Sequence, residues 1–218
     1  MTGAITLYIG SKSYSSWSLR PWLALRESGI AFEEVEIALR QPATKASIKK
    51  VSPSGKVPCL VHDGLQVWDS LAICEYLAEV KPEAGLWPAD RAARAFGRAI
   101  SAEMHSGFTK LRQSLPMDFA KTQPAPEIGP ELEADIARIV AIWQQARATF
   151  GQAGPFLLGR FSIADAMFAP VCSRFTTYRI DLARFGDKGP AEAYRVHMMA
   201  LTAMGDWGRG AATHEVEE

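Results

Sequence analysis

Ser54-Gly55-Lys56-Val57-Pro58-Cys59-Leu60-Val61-His62-Asp63-Gly64-Leu65-Gln66-Val67-Trp68-Asp69-Ser70 decides how this chain is read. Two apolar runs, Val57–Val61 and Leu65–Trp68, flank His62-Asp63-Gly64. An Asp-Gly pair between apolar runs is a strong β-hairpin signal, because both residues tolerate the positive φ of a two-residue turn. Pro58 opens the first run. It has no N–H to give to a strand ladder, so it belongs at an edge, a bulge or a cis turn. If Val57-Pro58 is cis, the N–H and C=O of Val57 turn outward and can pair with an extended ligand as an added strand would. The alternative is a tight turn that merely starts the strand. Asp69-Ser70 then precede a helical run, Leu71–Val80. Either residue is a natural N-cap, and the unpaired N–H groups behind it form an anion site. Capping alone explains such a pair in most proteins. Here the pair directly follows the proline hairpin, so a backbone-pairing edge and a carboxylate site become neighbours.

Upstream, Ile5–Ile9 reads as a strand, and Gly10 with Ser11, Ser13, Ser15 and Ser16 breaks it. Trp17–Ser28 has helical spacing with Gly29 as its stop, Phe32–Ala38 alternates like a half-buried strand, and Thr44–Val51 is a weak helix. The order is βαβ, a helix, a β-hairpin and a helix. Downstream, residues 81–90 hold two prolines and a glycine and read as a linker. Everything after them is helical in pattern. Arg91–Leu115 is one long helix or two joined ones, with Gly107 in its middle. Leu132, Ile136, Ile139, Val140 and Trp143 form an amphipathic stripe, Ser162–Tyr178 is apolar on nearly all sides, and Ala191–Met204 is a further helix. The expected organisation is an α/β domain over 1–80, a linker over 81–90 and an all-helical domain over 91–218.

Composition narrows the function. The chain of 218 residues carries 24 basic and 24 acidic side chains, split 8 and 8 over residues 1–80 and 16 and 16 over the rest. That balance gives no electrostatic footprint for nucleic acid or an anionic membrane. No stretch approaches the roughly 20 apolar residues of a spanning helix, and the first ten residues have no secretory pattern. Cys59, Cys74 and Cys172 are an odd number at wide spacing, which fits a reducing, cytoplasmic compartment. The four histidines have no paired ligand spacing, so no metal is expected.

The serine run between the first strand and first helix is the third chemical feature. A hydroxyl at a helix N-terminus can donate to an anion, and the helix field adds to that. Lowering a thiol from a pKa of about 8.5 by two units needs about 2.7 kcal/mol, which one charge-assisted hydrogen bond and a helix end can supply. A Ser-rich cap and turn is the alternative meaning. A hydrolase-type serine is not expected, since there is no G-x-S-x-G elbow and no histidine is placed to serve as a base.

Together, Tyr14-Ser15-Ser16-Trp17-Ser18-Leu19-Arg20, Gly55-Lys56-Val57-Pro58-Cys59-Leu60, Asp69-Ser70 with Ile73 and Tyr76-Leu77, and Gly159-Arg160-Phe161-Ser162-Ile163-Ala164-Asp165 resemble the glutathione transferase family along essentially the whole chain. The resemblance implies a thioredoxin-like βαβαββα domain followed by a helical one, and a homodimer. It implies glutathione as cosubstrate and a small hydrophobic electrophile as partner. Val57, with Pro58, would hold the cysteinyl part, Asp69 and Ser70 the γ-glutamyl end, and Lys56 the glycine carboxylate. The thiol-activating hydroxyl would be Ser15, Ser16 or Ser13: placement at the helix N-terminus favours the first two, and counting back from Arg20 favours the third. The stretch is similar to the zeta class, which includes maleylacetoacetate isomerases, but Tyr14-Ser15-Ser16 replaces its Ser-Ser-Cys. A glutathione-dependent isomerase or peroxidase is thus an alternative, and a non-catalytic ligand- or partner-binding protein is one of another class. No cysteine occupies the serine loop, which argues against disulfide-reductase chemistry. Met104, Phe108 and Leu111 share a helical spacing and are candidate substrate-pocket residues, with core packing as the competing explanation. His105 reads as a hydrogen-bonded structural residue. Ser162 and Asp165 read as a capping box with a folding role.

Overall fold

The computed structural model describes residues 3–119 and 121–213. Its first half runs β1 (Ile5–Gly10), α1 (Ser16–Ser28), β2 (Glu33–Ile37), α2 (Thr44–Val51), β3 (Cys59–His62), β4 (Leu65–Trp68) and α3 (Ser70–Val80). The strands lie in the order β2-β1-β3-β4. β1 pairs parallel with β2, setting Thr6 opposite Glu33, and antiparallel with β3, setting Ile5 opposite His62. β3 and β4 form the expected hairpin, with His62 opposite Leu65. At its tip Asp63 and Gly64 take φ of 49° and 81°, the pair of positive angles that a tight two-residue turn needs. α1 and α3 lie together against the sheet's inner residues, and Leu7, Ile9, Leu19, Leu23, Leu60 and Ile73 are all fully buried between them.

The second half is helical: α4 (Arg91–Ser106), α5 (Thr109–Ser114), α6 (Pro130–Thr149), α7 (Ile163–Thr177), α8 (Pro190–Met199) and α9 (Thr202–Thr213). α7 is buried along its length, and Trp143 of α6 meets Phe168, Phe175 and Tyr194 edge-on with ring centroids 4.9–5.8 Å apart. Two expectations need correction. Gly107 does not sit inside a helix: α4 ends at Ser106, Gly107 caps it, and Phe108 takes φ 56° before α5 begins. The region Ala191–Met204 holds two helices, because Ala200 caps α8 and the chain turns before Thr202.

The capping box anchors α7. Asp165 Oδ2 accepts from the Ser162 N–H (2.8 Å) and hydroxyl (2.9 Å), and Oδ1 accepts from the Leu157 N–H (3.0 Å). Burial lifts the Asp165 carboxyl to about 6, against the pull of these hydrogen bonds. α7 in turn packs on α1 and α4, and Arg20 of α1 donates to the Met167 carbonyl at 3.2 Å. α9 reaches back across the first half, where Trp207 Nε1 donates to the Lys12 carbonyl at 2.9 Å. These contacts fix the serine loop between the two halves.

Candidate active site

A cavity of about 490 Å³ opens between the halves, lined by Trp17, Ser54, Lys56, Val57, Pro58, Trp68, Asp69, Ser70 and His105. The Val57–Pro58 peptide is cis. No described residue takes up the Val57 N–H or C=O, and Val57 lines the cavity ahead of the first paired residue of β3. Lys56 is exposed at the same wall and forms no ion pair with a described carboxylate. The proline hairpin and the start of α3 thus face one space, as their adjacency in sequence suggests.

Asp69 is the N-cap of α3, with Oδ1 accepting from the N–H of Leu71 (2.8 Å) and Ala72 (3.4 Å). Its φ of 71° lies in the region that non-glycine residues rarely enter. The other carboxylate oxygen, Oδ2, pairs with His105 Nε2 at 2.6 Å. Ser70 follows, 1% exposed, and its hydroxyl has no partner among the described residues although it lies in the cavity wall. Buried hydroxyls are nearly always bonded, so this one is an open donor and acceptor at the positive end of a helix.

The three serine candidates are all buried, and none is a lining residue of the cavity; their neighbour Trp17 is. Ser13 donates its hydroxyl to the Ala211 carbonyl at 3.0 Å. Ser15 is the N-cap of α1: its oxygen accepts from the Ser18 N–H (3.4 Å) and its hydrogen goes to Ser18 Oγ (2.7 Å). Ser16 Oγ accepts from Arg174 Nη2 at 3.2 Å.

Met104, Phe108 and Leu111 do not line the cavity. They are 1%, 7% and 0% exposed and pack in the core, since the single helical face assumed for them is broken at Gly107. His105, one position along, forms the wall instead, edge-on to Trp17 with ring centroids 5.2 Å apart. Trp17, Trp68, Ser54 and His105 are the lining residues that sequence reasoning missed. Trp17 and Trp68 adjoin the named Ser16 and Asp69, and an aromatic beside a site residue was the available signal. His105 had none.

Arg20, Arg112 and Arg174 gather around Trp17 and Ser16. The guanidinium carbons of Arg20 and Arg112 lie 4.2 and 4.9 Å from the Trp17 ring centre. Burial, then the neighbouring arginines, lowers Arg20 to about 9 and Arg174 to about 10. Arg20 Nη1 is buried without a described partner. Burial pushes the thiols of Cys59, Cys74 and Cys172 up, so none is poised as a nucleophile. Among the described residues no group of three or more metal-ligating side chains is assembled, and no helix is long and apolar enough to cross a membrane.

This two-part arrangement has close counterparts. Residues 14–80 match the model of the glutathione S-transferase N-terminal domain, and residues 126–196 that of the C-terminal domain. A maleylacetoacetate isomerase of Rattus norvegicus is 30% identical over 188 residues, covering 84% of this chain and 83% of the relative. A probable maleylacetoacetate isomerase of Caenorhabditis elegans is 38% identical over 105 residues, 48% of each chain. The crystal structure of a glutathione transferase homolog from Burkholderia, with bound glutathione, superposes with a TM-score of 0.70 at 24% identity, covering 96% of this chain and 98% of the other. With both domain models matched in the observed order and a relative of this identity aligned across most of its length, the chain belongs to the glutathione S-transferase family.

Proposed function

We propose that this chain binds glutathione along the Val57–Ser70 wall and delivers its sulfur, as a thiolate, to a small hydrophobic electrophile. The observation that carries this reading is the Ser70 hydroxyl, buried and without a partner among the described residues, at the first residue of α3 in the wall that also holds Val57 and Lys56. Leaving such a group unsatisfied costs about 1–3 kcal/mol, and a ligand carboxylate at that helix end would offset it. An extended tripeptide matches the remaining groups. Its γ-glutamyl end falls to Asp69 and Ser70, its cysteinyl amide to the Val57 backbone, and its glycine carboxylate to Lys56. The reacting sulfur belongs to the cosubstrate, in keeping with the raised thiols of the chain's own cysteines. The protein's share is positioning and the stabilisation of a thiolate by a serine hydroxyl among Ser13, Ser15 and Ser16.

Titration calorimetry with glutathione and with S-methylglutathione tests the site. Both should bind, since the recognised groups lie away from sulfur, and failure of both to bind refutes the reading. A homodimer belongs to the same reading: Leu65 and Trp68 on the edge strand β4 are 52% and 47% exposed. Sedimentation should give twice the chain mass, and a monomer at micromolar concentration would contradict it.

A second reading is a glutathione-dependent isomerase acting on an anionic substrate. It is favoured by the cationic group Arg20, Arg112 and Arg174 and by relatives named maleylacetoacetate isomerase. Turnover of an unsaturated cis-dicarboxylate without net consumption of glutathione would select it, and stoichiometric loss of glutathione to a neutral electrophile would select the transferase.

A further inference from the structure

Between Glu36 and Asp63 the chain carries Arg40, Lys45, Lys49, Lys50 and Lys56 and no acidic residue. The rest is left with 19 basic against 24 acidic side chains, so a molecule of zero net charge concentrates five cations on one stretch. All five are exposed. The Arg40 guanidinium carbon lies 3.9 Å from the Tyr14 ring centre, and none of the five forms an ion pair with a described carboxylate. Lys45, Lys49 and Lys50 belong to α2, which is tied down beside the cavity. The Val51 carbonyl at its end accepts from Gln66 Nε2 of β4 (3.0 Å) and from the Cys59 thiol of β3 (3.3 Å). Three residues on, Ser54 lines the cavity together with Lys56. Three residues span at most about 11 Å, and a helix rises about 1.5 Å per residue. Lys49 and Lys50 therefore stand within about 14 Å of the cavity wall and Lys45 within about 20 Å, although none of the three lines it.

We propose that this stretch is a steering surface for glutathione: Lys45, Lys49 and Lys50 draw the anion to the cavity mouth without touching it in the complex, and Lys56 receives it. Glutathione suits such a surface, since its two carboxylates and one ammonium leave a net charge of −1 while the thiol is neutral. The inference rests on the glutathione reading and adds to it the route of entry. Its strength follows from screening. The Debye length is about 30 Å at 10 mM salt and about 8 Å at 0.15 M, so the three lysines act together at low salt and hardly at all at high salt. Screened attraction in water over these distances raises the encounter rate about 2.5-fold at 10 mM and about 1.3-fold at 0.15 M. Charges that steer change the association rate and its salt dependence, whereas groups that contact the bound ligand change the dissociation rate.

The test is stopped-flow mixing with S-methylglutathione, whose net charge involves no thiol, read by tryptophan fluorescence because Trp17 and Trp68 line the cavity. Association is measured at 10 mM and 0.15 M salt for the parent and for two triple variants. Lys45→Glu with Lys49→Glu and Lys50→Glu should slow association about sevenfold at 10 mM and less than about twofold at 0.15 M. The same three positions changed to Gln remove the charge without reversing it, and should slow association about 2.5-fold at 10 mM. Dissociation should stay at the parent rate in both. Should the Glu variant unfold α2, the Gln variant decides alone. Parent-like association in the variants at 10 mM, or a parent rate that salt does not change, overturns the steering role while the glutathione reading stands. A change carried by dissociation overturns it too, because the lysines would then be contacts in the complex. A parent that binds neither S-methylglutathione nor glutathione overturns both.

Discussion

Acidification from pH 7 to pH 5 should stabilise this protein through one buried group, Asp165. The carboxyl is fully buried beneath the start of α7, and burial lifts it from its ordinary 3.8 to about 6. The native state therefore binds this proton more tightly than the unfolded chain. Its contribution is fully present below 3.8 and disappears as pH rises through about 6. Linkage over that window gives a gain of about 1.3 kcal/mol between pH 7 and pH 5, and about 2.4 kcal/mol by pH 4. Other groups titrate in the same range; the Glu27 carboxyl, also raised by burial, acts in the same direction. The quantity to measure is thus a difference. Urea unfolding is followed at pH 7 and pH 5 for the parent and for Asp165→Asn, which cannot titrate but keeps an oxygen for one of the Leu157 and Ser162 N–H donors. The parent should gain about 1.3 kcal/mol relative to the variant on acidification. An equal change in both proteins would mean that the hydrogen bonds to the carboxylate offset its burial, and would refute the argument. The consequence reaches the site, because α7 carries Arg174 and packs on α1.

Further outcomes follow from the cavity wall. Ser70→Ala should weaken glutathione binding by roughly tenfold in calorimetry while leaving folding stability unchanged or slightly raised, since the hydroxyl has no partner among the described residues. Lys56→Ala should weaken glutathione by a few-fold, and added salt should shrink the difference from the parent, as an exposed charge is screened. Asp69→Ala removes the cap of α3 and puts a side chain that cannot bond locally at φ 71°, so urea unfolding should show a loss of about 2 kcal/mol. Asp69→Gly should be less damaging than Asp69→Ala because glycine accepts that backbone freely, and the reverse order would argue against strain at this residue.

Local chemistry made much of this protein legible. Asp63-Gly64 names its turn because few other pairs accept two positive φ angles, and the turn fixes the register of β3 with β4. Ser162 and Asp165 name the start of α7 for the same kind of reason: the bonds run between residues three apart. Val57, Lys56, Asp69 and Ser70 could be grouped because the hairpin separating them is too short to place them far apart. The reach of that logic ended where the chain turned on non-local packing. Gly107 and Phe108 break a helix whose apolar spacing continues unbroken, so Met104 and Leu111 went to the core and His105 to the wall. The sequence could also bring three serines to the head of α1 without ranking them. Where those hydroxyls find their hydrogen-bond partners was beyond it: Ala211, bonded to Ser13, and Arg174, bonded to Ser16, lie 198 and 158 residues away. Hydrogen-bond allocation in a buried loop is a property of the packed halves, and no pattern within the loop encodes it.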